Sequence, residues 1–209
     1  MIAHLHVAGA RPALVLLHGA GASHRAFEPL LPHLSGPEIL APSLPGREGS
    51  AGPPLSSVAD MTKKIVKFVR DQGHHQIVVA GHSLGGALAI ELTLTEPDLV
   101  CGLALVASGA RLRVLPSILD GWRTEPAASD WRACDAFDRM DRLGEIDVPT
   151  RVIYGTNDPM TPPKYQAYLL QHITGAKGTE LAGAGHDVVS ERPAEVAAAL
   201  MSLWSRFAP

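Results

Sequence analysis

The sequence predicts an α/β fold, a mostly parallel sheet with helices on both faces. Three observations predict it. Short apolar runs recur without polar alternation, as expected of strands covered on both sides. Helical patterns with one apolar face stand between those runs. The 209 residues, 46% hydrophobic and 19% charged, suffice for one large core, so a single domain over 1–209 is expected.

The elements follow in order. Ile2 to Val7 alternates apolar residues with His and reads as an edge strand of antiparallel sense. Leu14 to Leu17 is the first clear run, closed by His18-Gly19-Ala20-Gly21-Ala22. Ile39 to Ala41, Ile77 to Ala80, Leu103 to Val106 and Val152 to Tyr154 are further runs, and Thr179 to Leu181 is a short last one. Val58, Met61, Ile65, Phe68 and Val69 share one helix face, with Lys63, Lys64, Lys67 and Arg70 on a solvated opposite side. A small-residue helix leaves Gly86, and a last helix starts at Pro193, a good first-turn residue. From 109 to 147 no strand-like run occurs. That stretch reads as a short insertion between core segments 1–108 and 148–209.

Composition excludes several classes. A net charge of −3 argues against a nucleic-acid partner. The first residues lack a basic and apolar leader, and no apolar run reaches a membrane span, so a cytoplasmic protein is expected. The two cysteines, Cys101 and Cys134, are too few for a disulfide scaffold. His4 and His6 share a strand face without further ligands, so no metal is expected, and His74-His75 reads as a solvated turn. Nothing in the pattern sets an oligomeric state.

Chemistry concentrates at Gly81-His82-Ser83-Leu84-Gly85. An apolar strand enters this Gly-x-Ser-x-Gly stretch and a helix leaves it, the context of a strained turn that lifts a nucleophilic hydroxyl clear of a sheet. The Leu84 amide, at the helix start, is a donor for an oxyanion formed beside Ser83. A serine needs a base and the base an orienting acid. His186, in a Gly-rich loop after the last strand, is the candidate base, and its ordinary pKa suits proton transfer near neutrality. Asp158, after Val152 to Tyr154, is the candidate acid; Asp135, Asp138 and Asp187 are rivals that follow no convincing strand. Ala20, in the small-residue loop after the first run, is the candidate second oxyanion donor, and His18 is expected to pack beneath that loop. His24, Trp122 and Trp131 are candidates to line the substrate cleft, while Trp122 and Trp131 equally suit packing of the insertion.

His18-Gly19, Pro45-Gly46-Arg47-Glu48-Gly49-Ser50, Gly81 to Gly86, Gly155-Thr156-Asn157-Asp158 and Gly183-Ala184-Gly185-His186 together resemble the α/β-hydrolase superfamily over nearly the whole chain. Within it the chain looks most like carboxylesterase-type serine hydrolases with a shortened cap insertion. The resemblance implies an eight-stranded, mostly parallel sheet, no cofactor, and cleavage of small, fairly apolar esters through an acyl-enzyme. A thioesterase or lactonase would use the same triad, and the Pro-Gly-Arg-Glu run is similar to stand-alone thioesterases. A non-catalytic ligand-binding receptor is the rival from another class. The family's Asp-x-Pro-Gly-His-Gly-x-Ser pattern here reads Ser43-Leu44-Pro45-Gly46-Arg47-Glu48-Gly49-Ser50, so Ser43 and Arg47 depart from it. No basic cluster is evident that would hold a charged acyl group.

Overall fold

The computed structural model describes residues 1–121 and 124–208. A seven-stranded sheet forms the centre, in the order β1-β3-β2-β4-β5-β6-β7. Its strands are β1 (His4–Val7), β2 (Ala10–Leu17), β3 (Pro37–Pro42), β4 (Ile77–His82), β5 (Val100–Val106), β6 (Thr150–Gly155) and β7 (Lys177–Leu181). Only β1 runs antiparallel, against β3, as its alternation foretold. The eighth strand implied by family resemblance has no counterpart among the described residues. The apolar and alternating runs are all used in these seven, and no run is left to form another.

Helices cover both faces: α1 (Val58–Asp71), α2 (Leu84–Thr95), α3 (Pro116–Gly121), α4 (Ala127–Ala136), α5 (Pro163–His172), α6 (Val188–Glu191) and α7 (Pro193–Trp204). Strand pleating divides the apolar side chains into two cores. Val15, Leu17, Val79 and Leu105 pack under α1 and α2. Leu14, Leu16, Val78 and Ala80 pack under α7 and a 3-10 helix over His24–His33. Helix α1 buries the expected apolar face, and Ser57 caps its start. Lysines on the other side pair with Asp60 and Asp71, and Arg70 with Glu96, which makes that basic stripe a solvated, ion-paired surface. Helix α2 is buried from Leu84 to Thr93, with the buried Glu91 paired to Arg139. The Trp204 indole donates to the Pro12 carbonyl at 2.7 Å and ties α7 to β2.

His74 is buried beside Glu38 rather than in a solvated turn. Burial lowers its pKa, since the charged ring loses its water there. Among the described residues no helix is long and apolar enough to cross a membrane.

Topology places the site. From β2 the chain steps one way to β3, and β4 then pairs on the other side of β2, with Leu17 opposite Gly81. The loops leaving β2 and β4 therefore diverge at a switch point, where a crevice opens outside the strand ends. Close contact seals this corner. A Cβ on Gly81 would overlap the Gly85 carbonyl, and one on Gly85 would overlap the Leu17 carbonyl. Gly81→Ala or Gly85→Ala is expected to destabilise by more than about 3 kcal/mol, the scale of severe core overpacking. Gly73→Ala, in open space with φ 77°, meets only backbone strain, on the order of 1 kcal/mol. Urea unfolding of the three variants checks the ranking.

Candidate active site

Ser83 stands between β4 and α2 with φ 54° and ψ −117°, a conformation that costs a non-glycine residue roughly 1–3 kcal/mol. Neighbours hold it there. Its N–H donates to the Val106 carbonyl at 3.0 Å, and the Ser108 hydroxyl donates to its carbonyl at 2.8 Å. The Ser83 hydroxyl makes no capping bond to α2, so the residue does not serve as a helix cap. Its side chain opens instead onto two adjoining cavities. One, of about 30 Å³, is walled by Leu112, Val114, Cys134 and Tyr165. The other, of about 360 Å³, is walled by Gly19, Ala20, Ala26 and Ser190. Ser83, Trp131, Met160 and His186 border both.

The loops after β6 and β7 are built together. Asn157 N–H donates to the Ala184 carbonyl at 2.9 Å, and Gly183 N–H to the Thr156 hydroxyl at 2.8 Å. A Cβ on Gly155 would overlap the Ala184 carbonyl, so glycine lets the loops touch. This brings His186 Nδ1 to 2.8 Å from Asp158 Oδ2. Asp158 also accepts from the Met160 and Thr161 amides, each at 2.8 Å, and from the Thr161 hydroxyl at 2.7 Å. Burial alone would raise its pKa, but the bonds from His186 and Thr161 outweigh that and hold it at about 2. An ionised Asp158 accepts, so Nδ1 carries the ring proton, which leaves Nε2 of the neutral imidazole an acceptor. The rival acids are engaged elsewhere: Asp135 accepts from Val114 N–H, Asp138 lies by Arg111, and Asp187 accepts from the Ser190 hydroxyl.

His82 has a part that its neighbouring motif did not reveal. Its Nε2 donates to the His186 carbonyl at 2.9 Å, so it anchors the backbone of that histidine. Burial lowers its pKa and keeps it neutral for that bond. His18 is buried as expected. Leu44 N–H donates to its Nε2 at 3.1 Å, which puts the proton on Nδ1, and Nδ1 donates to the Gly19 carbonyl at 2.8 Å. Burial lowers its pKa to about 4. Among the described residues neither the Ala20 nor the Leu84 amide has a hydrogen-bond acceptor, and Ala20 borders the larger cavity.

His24 is a correction: it lines neither cavity. Its ring and its amide both turn to the Ser43 hydroxyl, at 2.8 and 3.0 Å, because Ser43 offers a short buried oxygen beside it. Trp131 does border the cleft. Trp122 lies outside the described residues. A second correction concerns charge. Arg111, Arg113 and Lys164 line a pocket of about 240 Å³ that shares Arg113 and Tyr165 with the small cavity at Ser83. Arg111 and Arg113 lie just after β5 and Lys164 lies on α5, so the three meet only in the fold. A further cavity, of about 480 Å³ on the outer face of α1 and α2, carries no nucleophile–base pair.

Residues 14–143 and 120–199 match the alpha/beta hydrolase family, and the chain belongs to that family. It is similar to the pimeloyl-[acyl-carrier protein] methyl ester esterase of Neisseria meningitidis, 27% identical over 82% of this chain and 85% of that protein. It is also similar to the lipase LipV of Mycobacterium tuberculosis, 30% identical over 71% of this chain and 59% of the lipase. Among solved structures a thermophilic esterase superposes with a TM-score of 0.85 at 27% identity, covering 99% of this chain and 98% of that one. An enol-lactonase from Burkholderia xenovorans shares the fold with a TM-score of 0.90 at 21% identity, over 98% of this chain and 96% of that one.

The lowered pKa of Asp158 has a pH signature. Depression from 3.8 to about 2 means that its contribution to stability is present above pH 4 and is lost as pH falls through about 2. The stability advantage of wild type over Asp158→Asn is therefore expected to narrow between pH 4 and pH 2, by on the order of 2 kcal/mol. Denaturant midpoints at stepped pH check it; a constant gap refutes it.

Proposed function

We propose that the protein is a serine hydrolase that cleaves small carboxylic esters through an acyl-enzyme. The observation that carries this reading is the meeting, in one cleft, of the strained Ser83 with the His186–Asp158 pair. In the proposed sequence Ser83 attacks the ester carbonyl and His186 Nε2 takes its proton. Asp158 holds the ring and stabilises the imidazolium. The Ala20 and Leu84 amides receive the developing oxyanion, Leu84 with the field of the α2 N-terminus behind it. His186 then protonates the leaving alcohol, and a water activated by the same ring releases the acid. The route uses only the chain's own groups and needs no metal or cofactor. The modest cavities favour small acyl and alcohol parts, and the esterase names of the relatives agree with ester chemistry. A thioester or lactone would be opened by the same steps.

Ser83→Ala is expected to lower kcat/KM on p-nitrophenyl butyrate by at least about 10³-fold. The wild-type ranking over p-nitrophenyl esters, acyl-coenzyme A thioesters and an acyl-homoserine lactone chooses among the three bond types. Binding without turnover of any of them would favour a receptor instead.

One observation favours a narrower reading, an ester that carries an acidic group. Among the described residues Arg113 and Lys164 have no carboxylate partner, and Arg111 has only an exposed pairing with Asp138 at 3.5 Å. An exposed pair of this kind is worth little and yields readily to a ligand anion. The monomethyl ester of a short dicarboxylic acid should therefore be preferred over the neutral methyl ester of equal length. Lys164→Ala should lower that preference ratio about tenfold, a loss of one charged contact. A ratio that does not move sinks the acidic-ester reading and leaves the general one standing.

A further inference from the structure

We infer that Asp130, held by Arg47, is a positioning residue that aims the loop donating the Ala20 amide, so that the insertion between β5 and β6 completes the oxyanion site. The inference rests on the oxyanion role proposed above for Ala20.

The argument starts from two consecutive peptide units. The Gly19 carbonyl and the Ala20 N–H belong to one trans peptide, in which C=O and N–H point in opposite directions. His18 Nδ1 holds that carbonyl at 2.8 Å, and so turns the Ala20 N–H the other way. The next peptide carries the Gly21 N–H. That N–H donates to Asp130 Oδ2 at 2.8 Å, across 109 residues of chain. Gly21 has φ 73° and a Cβ there would meet nothing within 4 Å, so hydrogen bonds hold this peptide: the turn's own Ala22 N–H to Gly19 carbonyl bond at 3.3 Å, and the one to Asp130. The fixed acceptor is Asp130. The two peptides meet at the Ala20 Cα, so the anchor on the second fixes the point from which the Ala20 amide is aimed. His18 and Asp130 thus clamp the loop from two sides. On the third side, a Cβ on Gly19 would sit 3.2 Å from His82 and 3.3 Å from Ser83.

Asp130 lies on α4, in the insertion, and is itself held. It forms an ion pair with Arg47, and both side chains are buried, 4% and 2% exposed. Arg47 Nη2 also donates to the Pro126 carbonyl at 2.8 Å, at the start of α4. Arg47 Nε and Nη1 are buried without an acceptor among the described residues. Burial pushes the Asp130 pKa up, and the guanidinium opposes that shift. A buried pair with donors left over is a poor device for stability, since an apolar pair of equal volume is often as stable or more so. Its position explains it better. Arg47 stands where the family pattern has His, early in the loop that leaves β3, and Asp130 is an acid on the buried side of an alanine-rich helix. The pair joins the β3 loop, the insertion and the β2 loop at one point, next to Ala20.

The test separates the acceptor from the charge. Arg47→Met with Asp130→Asn keeps an oxygen for the Gly21 amide and removes both charges. Arg47→Met with Asp130→Leu removes the oxygen as well. Circular dichroism and thermal melts establish that both are folded. On p-nitrophenyl butyrate, kcat of the Leu double variant should be at least about tenfold below that of the Asn double variant. One oxyanion donor is worth about 10²–10³, and a misaimed one loses part of that. KM should stay within about threefold, because ground-state binding is untouched. Should the Leu variant melt early, Arg47→Met with Asp130→Ala makes the same comparison without added bulk. Equal kcat in the Asn variant and the folded apolar variant overturns the inference, as does a difference confined to KM. Each variant keeps Ser83. Activity that survives Ser83→Ala in the same assay would instead overturn the serine mechanism, so the two failures are distinguishable.

Discussion

The tight passage from β4 into α2 is the constraint on which the rest depends. Glycines at 81 and 85 let the turn close against itself and against the carbonyl of Leu17, with no side chain between. A third, Gly86, lies against Ser108, whose hydroxyl in turn holds the Ser83 carbonyl. This packing forces φ at Ser83 positive and aims the start of α2 at the crevice. It also presses the β2 loop onto Ser83. The strain is tolerated because α2, buried from Leu84 to Thr93, is packed too closely to shift and relieve it.

Around that corner the polar groups are arranged in a consistent hierarchy. The catalytic candidates are held by neighbours rather than standing alone. His186 is held by Asp158, and Asp158 by Thr161 and two amides. The backbone of His186 is held by His82, and the Gly19 peptide by His18. Burial keeps His18 and His82 uncharged, so they act as fixed donors and not as competing bases. Of His18, His82 and His186, the one hydrogen-bonded to an ionised carboxylate is His186, whose Nε2 has no partner among the described residues.

The sequence carried much of this plainly. Apolar runs gave the core strands, and the alternation of Ile2 to Val7 gave the antiparallel edge, because burial on two faces or one writes a different pattern. Ser83, Asp158 and His186 were legible because each stands at a strand end beside small residues, and a sharp turn needs those residues locally. What was not legible depends on contacts between distant segments. The anchoring role of His82 needs the β7 loop beside it. His24 looked exposed to the cleft until Ser43, a strand away, offered it an oxygen. The cations near the cleft come from the insertion and from α5, and Asp130 is one acid among many until Arg47 is placed against it. Seven strands in place of eight reflects an edge, where pairing is optional and a family pattern is least binding.

The union of Arg47 with Asp130 also bears on how such a sequence drifts over generations. Replacing either residue alone strands the other as an uncompensated buried charge, at a cost of about 3–5 kcal/mol. That is a large share of the roughly 5–15 kcal/mol by which a domain of this kind stays folded. A lineage holding this pair is therefore walled off from the His-bearing arrangement by an intermediate that selection removes. It can leave only by a paired change, or by first accumulating stability elsewhere.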